Sequence, residues 1–262
     1  MKKAQLYTTQ LGAGLGVIDE TRTLLDLWEP GMNASQLFQY VLDSGNFPNM
    51  SARRLKNLIF ECFAPRYLVV NDYPAVILKR MLPFLTLTEF TQFLLLFTCR
   101  ANLILADFIH EVYWHRYSSG HEVISNEDAR DFVMKSISLG KTVKPWSDNM
   151  IERVAGYLTR CCADFGMLEP GIKKSRKIIP YRGEPKVSAF LAYDLHFSGL
   201  GDNTIIAHCD WEIYGMERED VLNELKRLSL KGFFVVQTAG DVICLGWNYK
   251  NWGELVSAIA QG

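Results

Sequence analysis

The sequence has no long apolar run. Its most apolar region, Met81 to Ile109, contains an uncharged stretch of ten residues, Phe90–Cys99, closed by Glu89 and Arg100. A membrane-spanning helix needs about 20, so buried helices are predicted there and no membrane partner. Paired cysteines are also missing. Cys62, Cys99, Cys161, Cys162, Cys209 and Cys244 are scattered with no C-x-x-C spacing, which argues against a zinc ribbon or a dithiol redox motif. Free buried thiols in a reducing, cytoplasmic setting are expected instead. Met1-Lys2-Lys3 runs into the polar Gln5, Tyr7, Thr8 and Thr9, so no secretory leader is expected.

Catalytic signatures are absent as well. There is no G-x-x-x-x-G-K-[ST] loop to cradle phosphates and no G-x-S-x-G nucleophile turn. Gly12, Gly14 and Gly16 stop short of a dinucleotide fingerprint, because Val17 stands where the pattern needs glycine. A flexible lead-in to a helix is the expectation for them. Asp164-Phe165-Gly166 spells a kinase triplet without the glycine loop, lysine or catalytic loop that give it meaning. His110 and His115 are five apart, one too many for a helical metal pair, and Glu111 is expected to form a surface ion pair with His115. His208-Cys209-Asp210 lacks the spacing of a zinc or nucleophile site, and a packed histidine is expected. No catalytic residue, no metal, no cofactor and no small-molecule substrate is therefore assigned, and the protein is read as a non-enzyme.

What the sequence does have is a local excess of positive charge. The chain as a whole carries −1, but residues 141–186 hold 10 Lys/Arg against 5 Asp/Glu, a net of +5, and residues 187–262 hold 5 against 10. Such a patch suits an anionic partner without making the protein a polycation. Within it, Ser147 is placed to cap a helix with Ile151, Val154, Leu158 and Cys161 on one face, and Gly166 to end it. Short apolar runs at Met167–Leu168 and Ile178–Ile179 flank a basic turn with Gly171, Lys173, Lys174, Ser175, Arg176 and Lys177. A helix followed by a two-stranded cationic wing is the layout of a winged-helix unit, which can lay a helix in a groove and a wing on phosphates. The alternative is an ordinary packing unit with a solvated turn.

The rest of the chain reads mainly as helices. Leu24, Leu25 and Trp28 line a first helix, Asn33 caps a second, and Ser51 a third that presents Arg53, Arg54 and Lys56 outward. Thr88 is placed to cap an almost wholly apolar helix. Ser125 and Asp128 form an S-x-x-[DE] capping box. Pro185 starts a further helix, residues 202–216 are open, and Glu217–Leu230 is amphipathic. Phe233–Gln237 and Val242–Trp247, around Thr238-Ala239-Gly240-Asp241, give a strong hairpin signal. Helix–hairpin thus occurs twice, the second time in an acidic, apolar version.

Several stretches, taken in order, are familiar. They are Gly14–Leu25, Ser51-Ala52-Arg53-Arg54, Leu103–Phe108, Trp146-Ser147, Asp164–Leu168 and the basic wing. On these the chain resembles the BrxA family of bacteriophage-exclusion (BREX) defence systems over roughly residues 10–250. The resemblance implies a non-enzymatic component encoded beside a methyltransferase, an ATPase and a phosphatase-like protein. It also implies a likeness to a helical RNA-binding antitermination factor. It transfers no catalytic residues.

The fold expected is mainly α with small β-hairpins: a helical bundle over 1–140, a basic winged-helix-like unit over 141–186 and an acidic helix–hairpin unit over 187–262. The function expected is binding of double-stranded DNA within a BREX system. Phosphates would be met by Arg53, Arg54 and Lys56 on one helix and by Lys173, Lys174, Arg176 and Lys177 on the wing. Lys144, Arg153, Arg160 and Arg182 would support them. The alternatives are RNA binding by the bundle, or a scaffold that docks other BREX proteins through Phe233, Phe234, Val235, Ile243 and Trp247.

Overall fold

The computed structural model describes residues 6–239 and 242–261. The opening Met1-Lys2-Lys3 and the hairpin residues Gly240 and Asp241 lie outside them. The protein is mainly α with two small antiparallel strand pairs. In chain order, α1 is Ile18–Leu27, α2 Ala34–Ser44 and α3 spans 52–67. Then come α4 Tyr73–Met81, α5 Leu87–Ala101 and α6 Leu103–Ser118. β1 Val123–Ser125, α7 Asn126–Ser138, α8 Asp148–Asp164 and β2 Ser175–Lys177 follow. The chain closes with α9 Pro185–Phe197, α10 Asp202–Ile206, a 3₁₀ turn Cys209–Tyr214, α11 Arg218–Ser229, β3 Phe234–Ala239, β4 Val242–Trp247 and α12 Trp252–Gln261. The middle turns of α3 (Leu58–Phe63) and α6 (Ile109–Trp114) are π-helical.

Capping chemistry sets where the helices begin. The Asn33 side chain accepts from the amides of Ser35 and Gln36 at 3.0 Å, and Gln36 answers onto the Asn33 amide. Ser51 Oγ accepts from the Arg54 amide at 3.3 Å. Ser125 and Asp128 complete the reciprocal box in front of α7. Ser147 stands at the N-cap of α8, although its hydroxyl makes no capping bond. The cap of α5 is Thr86 and not Thr88. Thr86 Oγ1 accepts from the Glu89 amide while Glu89 returns to the Thr86 amide at 2.7 Å. Only Thr86 has a glutamate three residues on, as the box requires.

The chain divides into two compact units, Met1–Lys79 with Leu94–Tyr181, and Arg80–Phe93 with Arg182–Gly262. In the first, α7 and α8 pack along each other, and Arg130 meets Glu152 at 2.7 Å across them. β1 pairs antiparallel with β2, Ile124 opposite Arg176. Leu168 bridges Ile178 on the far side of β2's strand, with Glu169 donating to Lys177 O and Ile179 to Met167 O, each at 2.9 Å. The expected hairpin is present, but its paired strand extends into the basic run and leaves only 170–174 as the turn. In the second unit, β3 and β4 pair in register from Phe234↔Trp247 to Ala239↔Val242. They pack with α10 and α11. The Asp202 carboxylate caps this sheet, accepting from the Leu245 amide at 2.8 Å.

The glycine stretch before α1 is no flexible lead-in. The glycines back onto two helices, Gly12 and Gly16 onto α8 and Gly14 onto α3. A Cβ on Gly12 would lie 2.5 Å from the Tyr157 ring, one on Gly14 2.6 Å from Cys62 Sγ, and one on Gly16 against Asp164. The Gly16 amide donates to Asp164 Oδ2 at 3.0 Å. Buried Arg66 donates to Leu15 O at 3.0 Å and to Gly14 O. Gly16→Ala should therefore cost about 1–3 kcal/mol of stability, the usual range for overpacking, read as a lower urea midpoint with an unchanged slope. A midpoint equal to the parent's would mean that the segment is not clamped.

All six cysteines are free, as expected, but only four are buried; Cys209 and Cys244 are exposed. Burial pushes the thiols of Cys62, Cys161 and Cys162 up, which keeps them protonated and inert. Among the described residues no single helix is long and apolar enough to cross a membrane. The apolar pair α5 and α6 bends by 112° at Asn102.

Candidate nucleic-acid interface

The exposed face of α8 follows directly from its spacing. Ile151, Val154, Ala155, Leu158, Cys161 and Cys162 are buried, which turns Arg153, Tyr157 and Arg160 to the other side at i, i+4 and i+7. Arg153 donates to the Tyr157 hydroxyl from Nη2 at 2.9 Å and from Nε at 3.2 Å. Its guanidinium carbon lies 5.9 Å from the Tyr157 ring centre, and that of Arg160 lies 5.3 Å away. Arg160 Nε also donates to Gly156 O at 2.8 Å. One aromatic ring thus holds two arginines extended along the helix, which lowers the entropy either would lose on meeting an anion. Tyr157 is the residue that sequence reasoning missed. Its only sequence signal was an aromatic off the apolar stripe, between two arginines.

Lys174, in the turn before β2, is exposed. Strand alternation sorts β2 itself: Ser175 and Lys177 are exposed, and Arg176, between them, points the other way. It is 2% exposed and donates from Nη1 to Glu169 O at 2.9 Å, so its guanidinium is not available to a phosphate. This corrects the sequence expectation. Lys173 is exposed but paired with Glu169 Oε2 at 2.8 Å, and the lysine beside Glu169 holds that carboxyl below its usual range. The base of the basic turn is fixed to α8 through Asn126. Its amide donates to Lys174 O and its side chain accepts from Thr159 Oγ1, both at 2.7 Å.

The third cluster opens α3. Arg53, Arg54 and Lys56 are all exposed. Arg54 Nη1 donates to Ala13 O at 2.7 Å, and Lys56 sits 5.9 Å from the Phe60 ring centre. The 3₁₀ turn Gln10–Ala13 links this cluster to α8, since Gly12 abuts Tyr157 and Ala13 accepts from Arg54. Lys144 is exposed on the segment leading into α8. Arg182 is exposed and belongs to the other unit.

Phe233 and Phe234, offered as a docking surface, are 7% and 1% exposed, and Trp247 is half-buried. Trp247 stacks on His196 at 4.1 Å and 11°, and burial lowers the His196 pKa against the opposing pull of Asp202. These side chains form the packing of the second unit and are not free to dock a partner. Glu111 meets Lys141 at 3.0 Å and Lys135 at 3.9 Å, in place of the His115 partner expected from spacing. The ligand atoms of His208, Cys209 and Asp210 come within 4.8 Å of one another. His208 Nδ1 accepts the Asp210 amide at 3.2 Å, the geometry of an N-cap.

These observations describe a class: a mainly helical protein whose first unit carries a cationic, partly aromatic face built from one helix, an adjoining strand turn and a second helix start. A model of the BrxA family matches residues 5–194. The chain belongs to the BrxA family and is thereby a component of a BREX phage-defence system. Nothing among curated proteins matches it. Among solved structures it is similar to the crystal structure of an uncharacterized protein from Magnetospirillum magneticum, at TM-score 0.58 and 14% identity, over 73% of this chain and 94% of that one. That likeness concerns the fold alone.

Proposed function

We propose that this protein is a non-enzymatic, winged-helix binder of double-stranded DNA in its BREX system, acting in the cytoplasm. The observation that carries it is the order β1, α7, α8, wing, with the β1–β2 pair extended by the Leu168–Ile178 bridge, the Arg153–Arg160 face of α8 turned outward and the wing base pinned to the helix. In such a unit the second helix of the pair enters the major groove and the wing reaches the neighbouring backbone. Arg153 and Arg160 lie on the groove-facing side of α8. Lys174 and Lys177 extend from the wing, with Lys173 partly neutralised by Glu169. Arg53 and Arg54 flank the same Gln10–Ala13 turn and meet a further phosphate segment. Contacts of this kind position the protein and carry little sequence information. Of the residues named for the scaffold alternative, Phe233, Phe234 and Ile243 are buried while Val235 is 50% exposed, so that reading keeps only the exposed part of its surface.

The test is fluorescence anisotropy of a labelled duplex of about 30 base pairs across a salt series. Six phosphate contacts predict a slope of log K against log salt near −5. Structured RNA should compete less well than duplex DNA, because its deep, narrow major groove does not admit a helix. No binding at about 50 mM salt would sink the proposal.

A further inference from the structure

The tip of the wing carries a residue that phosphate binding does not use. Ile172 is 103% exposed, the highest exposure of any large apolar side chain among the described residues. A lone exposed apolar residue on a flat surface is ordinary. Ile172 differs in its setting. It stands at the apex of a short turn, after Pro170 and Gly171, whose φ of +102° reverses the chain. Lys173 and Lys174 follow it directly.

The turn is held at its base from several sides. Glu169 donates to Lys177 O at 2.9 Å, Arg176 to Glu169 O at 2.9 Å, Asn126 to Lys174 O at 2.7 Å, and Lys173 pairs with Glu169 at 2.8 Å. An isoleucine without protein contacts adds nothing to the core. A β-branched residue has few rotamers to lose when it is immobilised. A stiff apolar tip on a fixed cationic loop is the composition of a side chain that wedges between base pairs from the minor groove.

We propose that Ile172 is a minor-groove wedge. With Lys174 and Lys177 on the flanking phosphates, it enters a base step, partly unstacks it and bends the duplex towards the major groove. Pyrimidine–purine steps unstack most readily and A-tracts resist. The preferred ligand is therefore a deformable duplex with a TA or CA step under the wing. This rests on the duplex-binding role proposed above and adds to it a source of selectivity at bases that no hydrogen bond reads.

The experiment uses the full chain, Ile172→Ser and Ile172→Leu, on a duplex labelled at both ends for energy transfer. One duplex has a central TA step and the other an A-tract. The parent should raise energy transfer on binding and favour the TA duplex by about tenfold. Ile172→Ser should lose both the bend and the preference, with the salt slope unchanged because no phosphate contact is removed. Ile172→Leu should keep both. If Ile172→Ser bends and discriminates as the parent does, the wedge is wrong while duplex binding stands. A shallower salt slope in Ile172→Ser would trace its weakening to displaced lysines and would equally overturn the wedge. If the parent binds neither duplex at low salt, the duplex-binding role itself fails.

Discussion

Lys174→Glu with Lys177→Glu should weaken duplex binding at least tenfold at about 0.15 M salt, and should make the salt slope shallower by about 2, one for each phosphate contact removed. Both side chains are exposed, so the change leaves the core untouched and the thermal midpoint close to the parent's. The loss should be uniform across DNA sequences, since phosphates carry no base identity. Lys173→Glu alone should do less, because Glu169 already balances Lys173 at 2.8 Å. Arg176→Glu is the wrong variant for this purpose. It would bury a carboxylate beside the Glu169 carbonyl and unfold the wing instead of testing it. A double variant that binds with the parent's slope would mean that the wing does not meet phosphate.

The contrast between Arg176 and its neighbours shows how far the sequence could be taken here. The run Lys173–Lys177 looks uniformly basic. Which of its residues face out depends on the pairing of Ser175–Lys177 with Val123–Ser125, some fifty positions earlier. A three-residue strand has no periodicity to announce it, and Ser125 is already accounted for by its role as a helix cap. Local signals fared better. The caps at Asn33, Ser51 and Ser125, the stop at Gly166 and the second hairpin are each determined by a few adjacent residues. Thr86 and Thr88 lie two apart and both suit a cap, and the deciding partner is Glu89, three residues after Thr86. The cationic stripe Arg153–Arg160 was legible from helix spacing. The ring between its arginines, and the burial of Phe233 and Phe234, depend on contacts that spacing does not encode.

The glycine stretch was hardest to read, because glycine signals both freedom and close approach. Arg66 decides between them. It is 3% exposed and donates to the carbonyls of Gly14 and Leu15. Arg54 holds Ala13 O from the solvent side. Just beyond, Val17 sits at φ +41°, in the left-handed region that costs an L residue about 1–2 kcal/mol. A strained backbone persists only where its surroundings fix it, and here the fixing group is a buried guanidinium. Arg66→Ala strips Leu15 O of its donor, leaves Gly14 O with only the weak Cys62 thiol at 3.8 Å, and opens a cavity beside Cys62, together about 3–5 kcal/mol. For a chain of this size that lowers the thermal midpoint by about 10 °C. Arg66→Lys should recover part of the loss, since an ammonium supplies the charge but not the fork that spans two oxygens. Gly12 packs on Tyr157, and Tyr157 aligns Arg153 and Arg160, so the released segment should also loosen the cationic stripe. Duplex affinity measured well below the lowered midpoint should then fall with Arg66→Ala, although Arg66 itself is buried and touches no ligand. An Arg66→Ala protein that melts within a degree of the parent would show that the segment is held by something other than this guanidinium.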